Sequence, residues 1–346
     1  MTAKTQRFTD FFAQAVRDLP QRTREILAQR YGIDPQSSQT LGAIGERYGL
    51  TRERIRQIIA DGVRAVRQST RDNKEIYAPL EEAVCARGKI IPEEELLDAV
   101  SSSDHRAERG AARFFVDASE NLRPLKRKDV VKAVVHVEFD EEQWTRVKEI
   151  VTAILSDVKE PLAHEILHKQ YTKHPEADTQ VDAETLHHYL TPVTDIAKNP
   201  FGRWGLTQWS DVRPRSMRDR IYLVLKEKGA PMHFRDIAAA IDAHGLSRGT
   251  TRTNIQTVHN ELIKDQRFVL VGRGMYALRD WGYVPGTVRD VITQVLKEHG
   301  APMAVRDVVA AVEKKRDVRK MTVLVNLNQH FKKVRRGVYT LPEEEA

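Results

Sequence analysis

The stretch "TRERIRQII" at residues 51–59 sets Arg52, Glu53, Arg56 and Gln57 on the outward side of a helix start. These side chains are suited to reading base edges rather than to making or breaking bonds. Arginine donates two parallel hydrogen bonds to guanine O6 and N7, and glutamine pairs with adenine N6 and N7. Arg54, Arg64, Arg67 and Arg71 flank them along the same stretch and suit phosphate contacts. An ordinary solvated helix face is the plain alternative for such a run of charge.

Arginines recur at glycine-marked turns further along the chain. Arg203, Arg273 and the Arg335-Arg336 pair each sit beside a glycine between two β-forming segments, and Lys332 and Lys333 join the last pair. Charges at such tips are candidates for phosphate or minor-groove contact. Other polar clusters read as structural. His164 and His168 stand one helical turn apart, with His187 and His188 following, but no motif places a third ligand, so no zinc site is expected. The acids of "PEEEL" at residues 92–96 complement a helix N-terminus and are not paired catalytic carboxylates. Cys85, the single cysteine, excludes an internal disulfide and reads as a small buried hydrophobe. With no nucleophile–base pair and no metal cluster, the chain is expected not to be an enzyme and to use no cofactor or small-molecule substrate.

The first of these clusters needs a scaffold, and the flanking residues supply one. Leu41 to Tyr48 read as a short helix, Gly49 as a left-handed turn, and Thr51 as the cap of a second helix. Ile55, Ile58, Ile59, Gly62, Val63 and Val66 fall on one face of that second helix, which must be buried. The first two turns are then free to enter a major groove.

"TLGAIGERYGLTRERIRQI", preceded by "LPQRTREILAQRYGI", resembles region 4 of the housekeeping-type sigma factors of bacterial RNA polymerase over residues ~10–70. The resemblance implies recognition of a −35-type promoter element by Arg52, Glu53, Arg56 and Gln57, and docking on the flap of the polymerase β subunit. One position departs from the family: Ile59 stands where a glutamate is usual. No aromatic-rich helix of the kind that melts the −10 element is found, so the chain is not expected to initiate transcription alone.

The rest of the chain is instead a repeat. "VLKEKGAPMHFRDIAAAI" (224–241) and "VLKEHGAPMAVRDVVAAV" (295–312) are identical at twelve of eighteen positions without a gap. Gly88, Lys159, Gly229 and Gly300 mark the same break in four units spaced 71, 70 and 71 residues apart. In the third unit "TRTNIQTVHNELIKDQ" continues as a helix through Ile255, Val258, Leu262 and Ile263, and "FVLVGRGMYAL" as strand, turn and strand. Three helices and a two-stranded hairpin make a winged helix. Residues 217–342 resemble the HARE-type winged helix of the delta subunit of bacterial RNA polymerase, which implies a polymerase- or DNA-associated role without fixing a base-reading residue.

The expected fold is therefore mainly α. A helix-turn-helix (1–72) precedes about four winged-helix units at 73–139, 140–212, 213–284 and 285–346. Charge agrees with two polyanion footprints. Residues 1–72 hold 13 Lys and Arg against 8 Asp and Glu, residues 317–341 hold 6 against 1, and residues 73–316 balance. No apolar run approaches the roughly 18–20 residues of a membrane span, and a reducing cytoplasm, at the nucleoid, is the expected location. Double-stranded promoter-like DNA and the polymerase core are the expected partners. The alternative is a delta-like accessory subunit or nucleoid-associated scaffold that does not read sequence.

Overall fold

A computed structural model of the chain describes residues 7–33, 38–101, 106–247, 249, 251–283, 286–315 and 318–342. Four helices open it: α1 (Arg7–Ala15), α2 (Gln21–Tyr31), α3 (Leu41–Tyr48) and α4 (Arg52–Thr70). The helix-turn-helix forms as its sequence dictates. Thr40 and Thr51 cap α3 and α4 by accepting from the Ala43 and Arg54 amides, and Gly49 turns left-handed at φ 63°. Ile26, Ile44 and Ile55 are fully buried and lock α2, α3 and α4 together.

The same order of elements then recurs. The first repeat runs α5 (Lys74–Cys85), β1 (Ile90–Pro92), α6 (Glu93–Val100), α7 (Arg106–Ala118), β2 (Leu122–Leu125), β3 (Ala133–His136). The second runs α8 (Glu141–Val158), α9 (His164–Tyr171), α10 (Ala183–Leu190), β4 (Ile196–Lys198), β5 (Trp204–Leu206). Its first strand is reduced to a single bridge between Leu162 and Trp204. The third comprises α11 (Met217–Lys228), β6 (Met232–His233), α12 (Phe234–Ala243), α13 (Ile255–Lys264), β7 (Phe268–Gly272) and β8 (Met275–Leu278). The fourth comprises α14 (Val288–His299), β9 (Met303–Ala304), α15 (Val305–Lys315), α16 (Lys320–His330), β10 (Lys332–Arg335) and β11 (Val338–Thr340). In the three complete sheets the last strand lies centrally and pairs antiparallel with both others.

The evenly spaced breaks share one backbone device. Gly88, Lys159, Gly229 and Gly300 all take left-handed φ, between 59° and 69°, where the first helix of each repeat stops. Lys159 holds this conformation without being glycine and ends α8 with its amide bonded to the Leu155 carbonyl. The hairpin turn of the third repeat differs from expectation in one respect: only Gly274, not Gly272, takes positive φ.

The chain divides into two compact units, residues 1–197 with 204–207 and residues 198–203 with 208–346. In the first unit, the opening helices and the first repeat share a single core. Phe8, Phe12, Leu27, Tyr31 and Val66 join Tyr77, Leu96, Phe114 and Phe115 in it. Phe114 meets Phe12 and Tyr31 edge-on, with ring centroids 4.9 and 5.2 Å apart. The sequence boundary near residue 72 thus separates two patterns that pack as one body.

The shared core is organised around α7. At Gly110 a β-carbon would lie 2.2 Å from the Tyr31 carbonyl oxygen, so glycine alone permits this approach. Two residues earlier, buried Glu108 accepts from the amides of Phe8 (2.6 Å) and Thr9 (3.0 Å) and from the Thr9 hydroxyl (3.1 Å). Its carboxylate satisfies the orphan donors at the start of α1 and complements that helix dipole. At the other end of α7, Tyr31 donates its hydroxyl to Asp117 at 2.7 Å.

The second unit is built differently, with one core per repeat. Ile221, Leu225, Ile237, Val258, Leu262 and Tyr276 are among the core residues of the third repeat. Val291, Leu296, Val308, Leu327, Phe331 and Tyr339 belong to a separate core in the fourth. On α13 the buried stripe is narrower than the apolar pattern suggests: Val258 and Leu262 point inward while Ile255 and Ile263 are exposed. Cys85 also departs from expectation. Ile76, Leu80 and Val84 define the inner face of α5, and the next residue, Cys85, lies on the solvent side.

Candidate nucleic-acid interface

The cap at Thr51 fixes the phase of α4, and that phase decides which side chains are free. Ile55 is fully buried, so Arg52, Glu53, Arg54, Arg56 and Gln57 all emerge into solvent. Two pairs one turn apart organise them. Arg56 binds Glu53 through two nitrogens, Nε at 2.9–3.1 Å and Nη2 at 2.6 Å. Arg54 donates to the Gln57 side chain at 3.2 Å. The Arg56 guanidinium holds the Glu53 carboxyl below the usual carboxylate range. Both members of that pair are well exposed, and such pairs exchange readily for a better partner. The residues expected to face bases are thus gathered on one exposed surface.

The expected phosphate contacts divide. Arg54 and Arg64 are exposed, Arg64 beside Asp61 at 3.3 Å. Arg71 pairs with Glu120 at 3.2 Å on the surface. Arg67 is a correction. Its Nε and Nη2 donate to the carbonyls of Ala118 (3.1 Å) and Asp117 (2.8 Å), so it caps the C-terminus of α7 and is not free for phosphate. Ile59, the position that departs from the sigma pattern, is half-buried and packs against both the helix-turn-helix core and the larger shared core.

The hairpin tips divide in the same way. Arg273 is exposed between β7 and β8, and Arg335 and Arg336 are exposed between β10 and β11. All four residues of β10, including Lys332 and Lys333, face solvent. Arg203 is instead paired with Glu227 at 3.1 Å, which sets it against the third repeat rather than free at a tip. Phe201, two residues earlier, stacks near His244 with centroids 4.6 Å apart.

The third helix of each repeat holds the position from which a winged helix reads DNA, and the four differ. Among α7 residues Phe114, Phe115, Ala111 and Ala112 are fully buried. On α10, Thr185 and Tyr189 lie over the turn at Gly88. α13 exposes Gln256, Thr257, Asn260 and Lys264, a polar face that residue patterning alone does not single out. Its only sequence signal is the cap Asn254 before "IQTVHNE". α16 exposes Met321 and Val325 at 68% and 45%.

The histidines are structural. His164 accepts at Nδ1 from the Trp204 indole (3.1 Å) and therefore donates from Nε2 to the Ala183 carbonyl (2.7 Å). His168 Nε2 bonds the Val181 carbonyl at 3.1 Å. Glu93 and Glu94 of the acidic helix start pair with Arg113 and Arg109 of α7. Among the described residues no three His, Cys, Asp or Glu side chains are grouped to hold a metal, and no helix is long and apolar enough to cross a membrane.

With this geometry in place, two segments find relatives. Residues 15–68 match the family described as Sigma-70, region 4. Residues 215–281 match the HARE-HTH family, whose description names an ASXL and restriction endonuclease HTH domain. The RNA polymerase principal sigma factor HrdD of Streptomyces viridifaciens is 46% identical over 54 residues, 16% of this chain and 16% of that protein. The RNA polymerase sigma factor RpoD of Neisseria gonorrhoeae is 38% identical over 61 residues, 18% of this chain and 10% of that one. The RNA polymerase sigma factor SigA1 of Synechococcus elongatus is 44% identical over 55 residues, 16% of this chain and 14% of that one. The chain therefore spans only a small part of the sigma factors it matches.

Proposed function

We propose that this chain is a non-enzymatic DNA-binding transcription factor that reads a promoter-like, −35-type element through α4 and works at RNA polymerase without a sigma melting module. The observation that carries the reading is the exposed set Arg52, Glu53, Arg56 and Gln57 on a capped helix behind a left-handed turn, within the segment similar to sigma region 4. In this reading α3 and α4 dock the duplex, and the polymerase β flap is the protein partner. The four repeats act as winged helices in series, with the exposed basic hairpin of the fourth, Lys332 to Arg336, adding a second phosphate footprint at the nucleoid.

Selection of bound sequences from a randomised duplex pool tests this. The full chain should enrich one motif, and R56A should relax it at a defined position, because a bidentate base contact is lost. The same motif from both proteins, or none from either, would contradict reading by α4.

A second reading, a delta-like accessory subunit or nucleoid-associated scaffold, draws on α16. Met321 and Val325 expose apolar surface where a base-reading helix would carry polar groups. Co-purification of polymerase with the chain, with no enrichment of any duplex sequence, would favour it.

A further inference from the structure

A cleft of about 810 Å³ runs alongside α4 within the first unit. One wall is α4 itself, through Arg56 and Arg64. The other is the hairpin of the first repeat, through Lys126 where β2 ends and Lys132 where β3 begins. Seven cationic residues line it against two acids, Glu93 and Asp117. Both acids are engaged, Glu93 with Arg113 at 2.7 Å and Asp117 with the Tyr31 hydroxyl. Lys126 and Lys132 are exposed. Net charge conceals this feature, since residues 73–316 are neutral overall.

We propose that the β2–β3 hairpin of the first repeat serves as the wing of α4, holding one strand of duplex DNA along this cleft through Lys126 and Lys132. A wing works beside a third helix, and this hairpin has lost its own: α7 is turned inward to form the shared core. α4 in turn has no hairpin in its own segment, because the chain passes from it directly into α5. Packing of α7 against α1, α2 and α4 brings the orphan hairpin and the wingless helix together.

The geometry favours a polymer over a small anion. Arg56 belongs both to the cleft and to the base-facing surface, so the cleft continues the proposed reading site. From Arg56 to Arg67 the helix advances roughly 16 Å, long enough to follow several nucleotides of one strand. Its charges sit on exposed walls instead of converging on a buried point. The Arg56–Glu53 and Arg64–Asp61 pairs are both solvent-exposed and can exchange for phosphate.

The inference rests on the proposed DNA reading, and one experiment separates the two. Binding of the full chain to a 30-base-pair duplex carrying its selected motif is followed by anisotropy across a salt series, for wild type, K126A/K132A, K169A/K173A and R52A/R56A. Lys169 and Lys173 are exposed lysines outside the cleft, so their variant removes the same net charge elsewhere. Each phosphate contact contributes about 0.9 to the slope of log K against log salt. K126A/K132A should therefore lower the slope by about 2 while keeping the motif preference, and K169A/K173A should leave it unchanged. R52A/R56A should lose the preference. A slope in K126A/K132A equal to that of wild type or of K169A/K173A, with R52A/R56A still losing preference, overturns the wing alone. No duplex binding by wild type overturns both the reading and the wing. Saturable binding of inorganic pyrophosphate, lost in K126A/K132A with duplex binding unchanged, would assign the cleft to a small anion and overturn the wing.

Discussion

The third helix of the first repeat and that of the third repeat occupy the same place in the same order of elements, yet one is buried and the other is free. α7 carries Phe114 and Phe115 into a core shared with the opening helices, and α13 buries only Val258 and Leu262 and leaves Gln256 and Asn260 in solvent. The difference lies in composition along one helix. "GAARFFV" offers small residues for close approach and aromatics for burial, whereas "IQTVHNE" alternates a thin apolar stripe with amides. A repeated supersecondary unit is thus used once as a clamp on its neighbour and once as a presenting surface.

If α7 is a clamp, breaking it should disturb more than its own repeat. The largest expected effect is G110V, which drives side-chain atoms into the Tyr31 carbonyl and should prevent the first unit from folding, read as loss of soluble protein or of its unfolding transition. Phe114→Ala is milder and should cost about 3–5 kcal/mol in one transition that takes the opening helices and the first repeat together. Leu327→Ala, in the separate core of the fourth repeat, should cost about 2–5 kcal/mol and leave hydrogen-exchange protection of α7 unchanged. Equal loss of protection in both regions would mean the two cores are not independent.

Glu108→Gln sharpens the comparison further. It leaves the shape but removes the charge that caps α1, and should cost about 1–3 kcal/mol as measured by denaturant unfolding. No change would mean that the cap contributes shape only. The smallest effect concerns Asp117, whose carboxyl is pushed up by burial, with the Tyr31 hydrogen bond pulling the other way. A folded pKa above the unfolded one means that the folded state holds this proton more tightly. Its contribution is therefore full below the unfolded pKa and is lost as pH rises through the folded value. D117N carries no such charge, so its Tm relative to wild type should rise between acidic and neutral pH. A constant difference would contradict this.

Much of the interface is legible in the sequence because its devices are local. The caps at Thr40 and Thr51, the left-handed turn at Gly49 and the outward phase of Arg52 and Arg56 depend on residues within one or two turns. The repeat is legible for the same reason, since the break at Gly88, Lys159, Gly229 and Gly300 is a backbone property. The partner of each buried face is concealed. Periodicity states that the Phe114 side of α7 must be covered, but nothing in it says that Phe12 and Tyr31 do the covering. The destination of Arg67 depends on that contact, as does the meeting of α4 with Lys126 and Lys132. Neither is visible along one helix.

The central claim is that α4 reads promoter-like DNA. Chromatin immunoprecipitation of the tagged chain and of R52A/R56A in the native host, mapped beside RNA polymerase, tests it most directly. The account predicts peaks near −35 positions at a subset of promoters for the wild-type chain, and their loss in the variant. Occupancy that follows polymerase through gene bodies, or spreads evenly over the genome, and that is the same for both proteins, would contradict it.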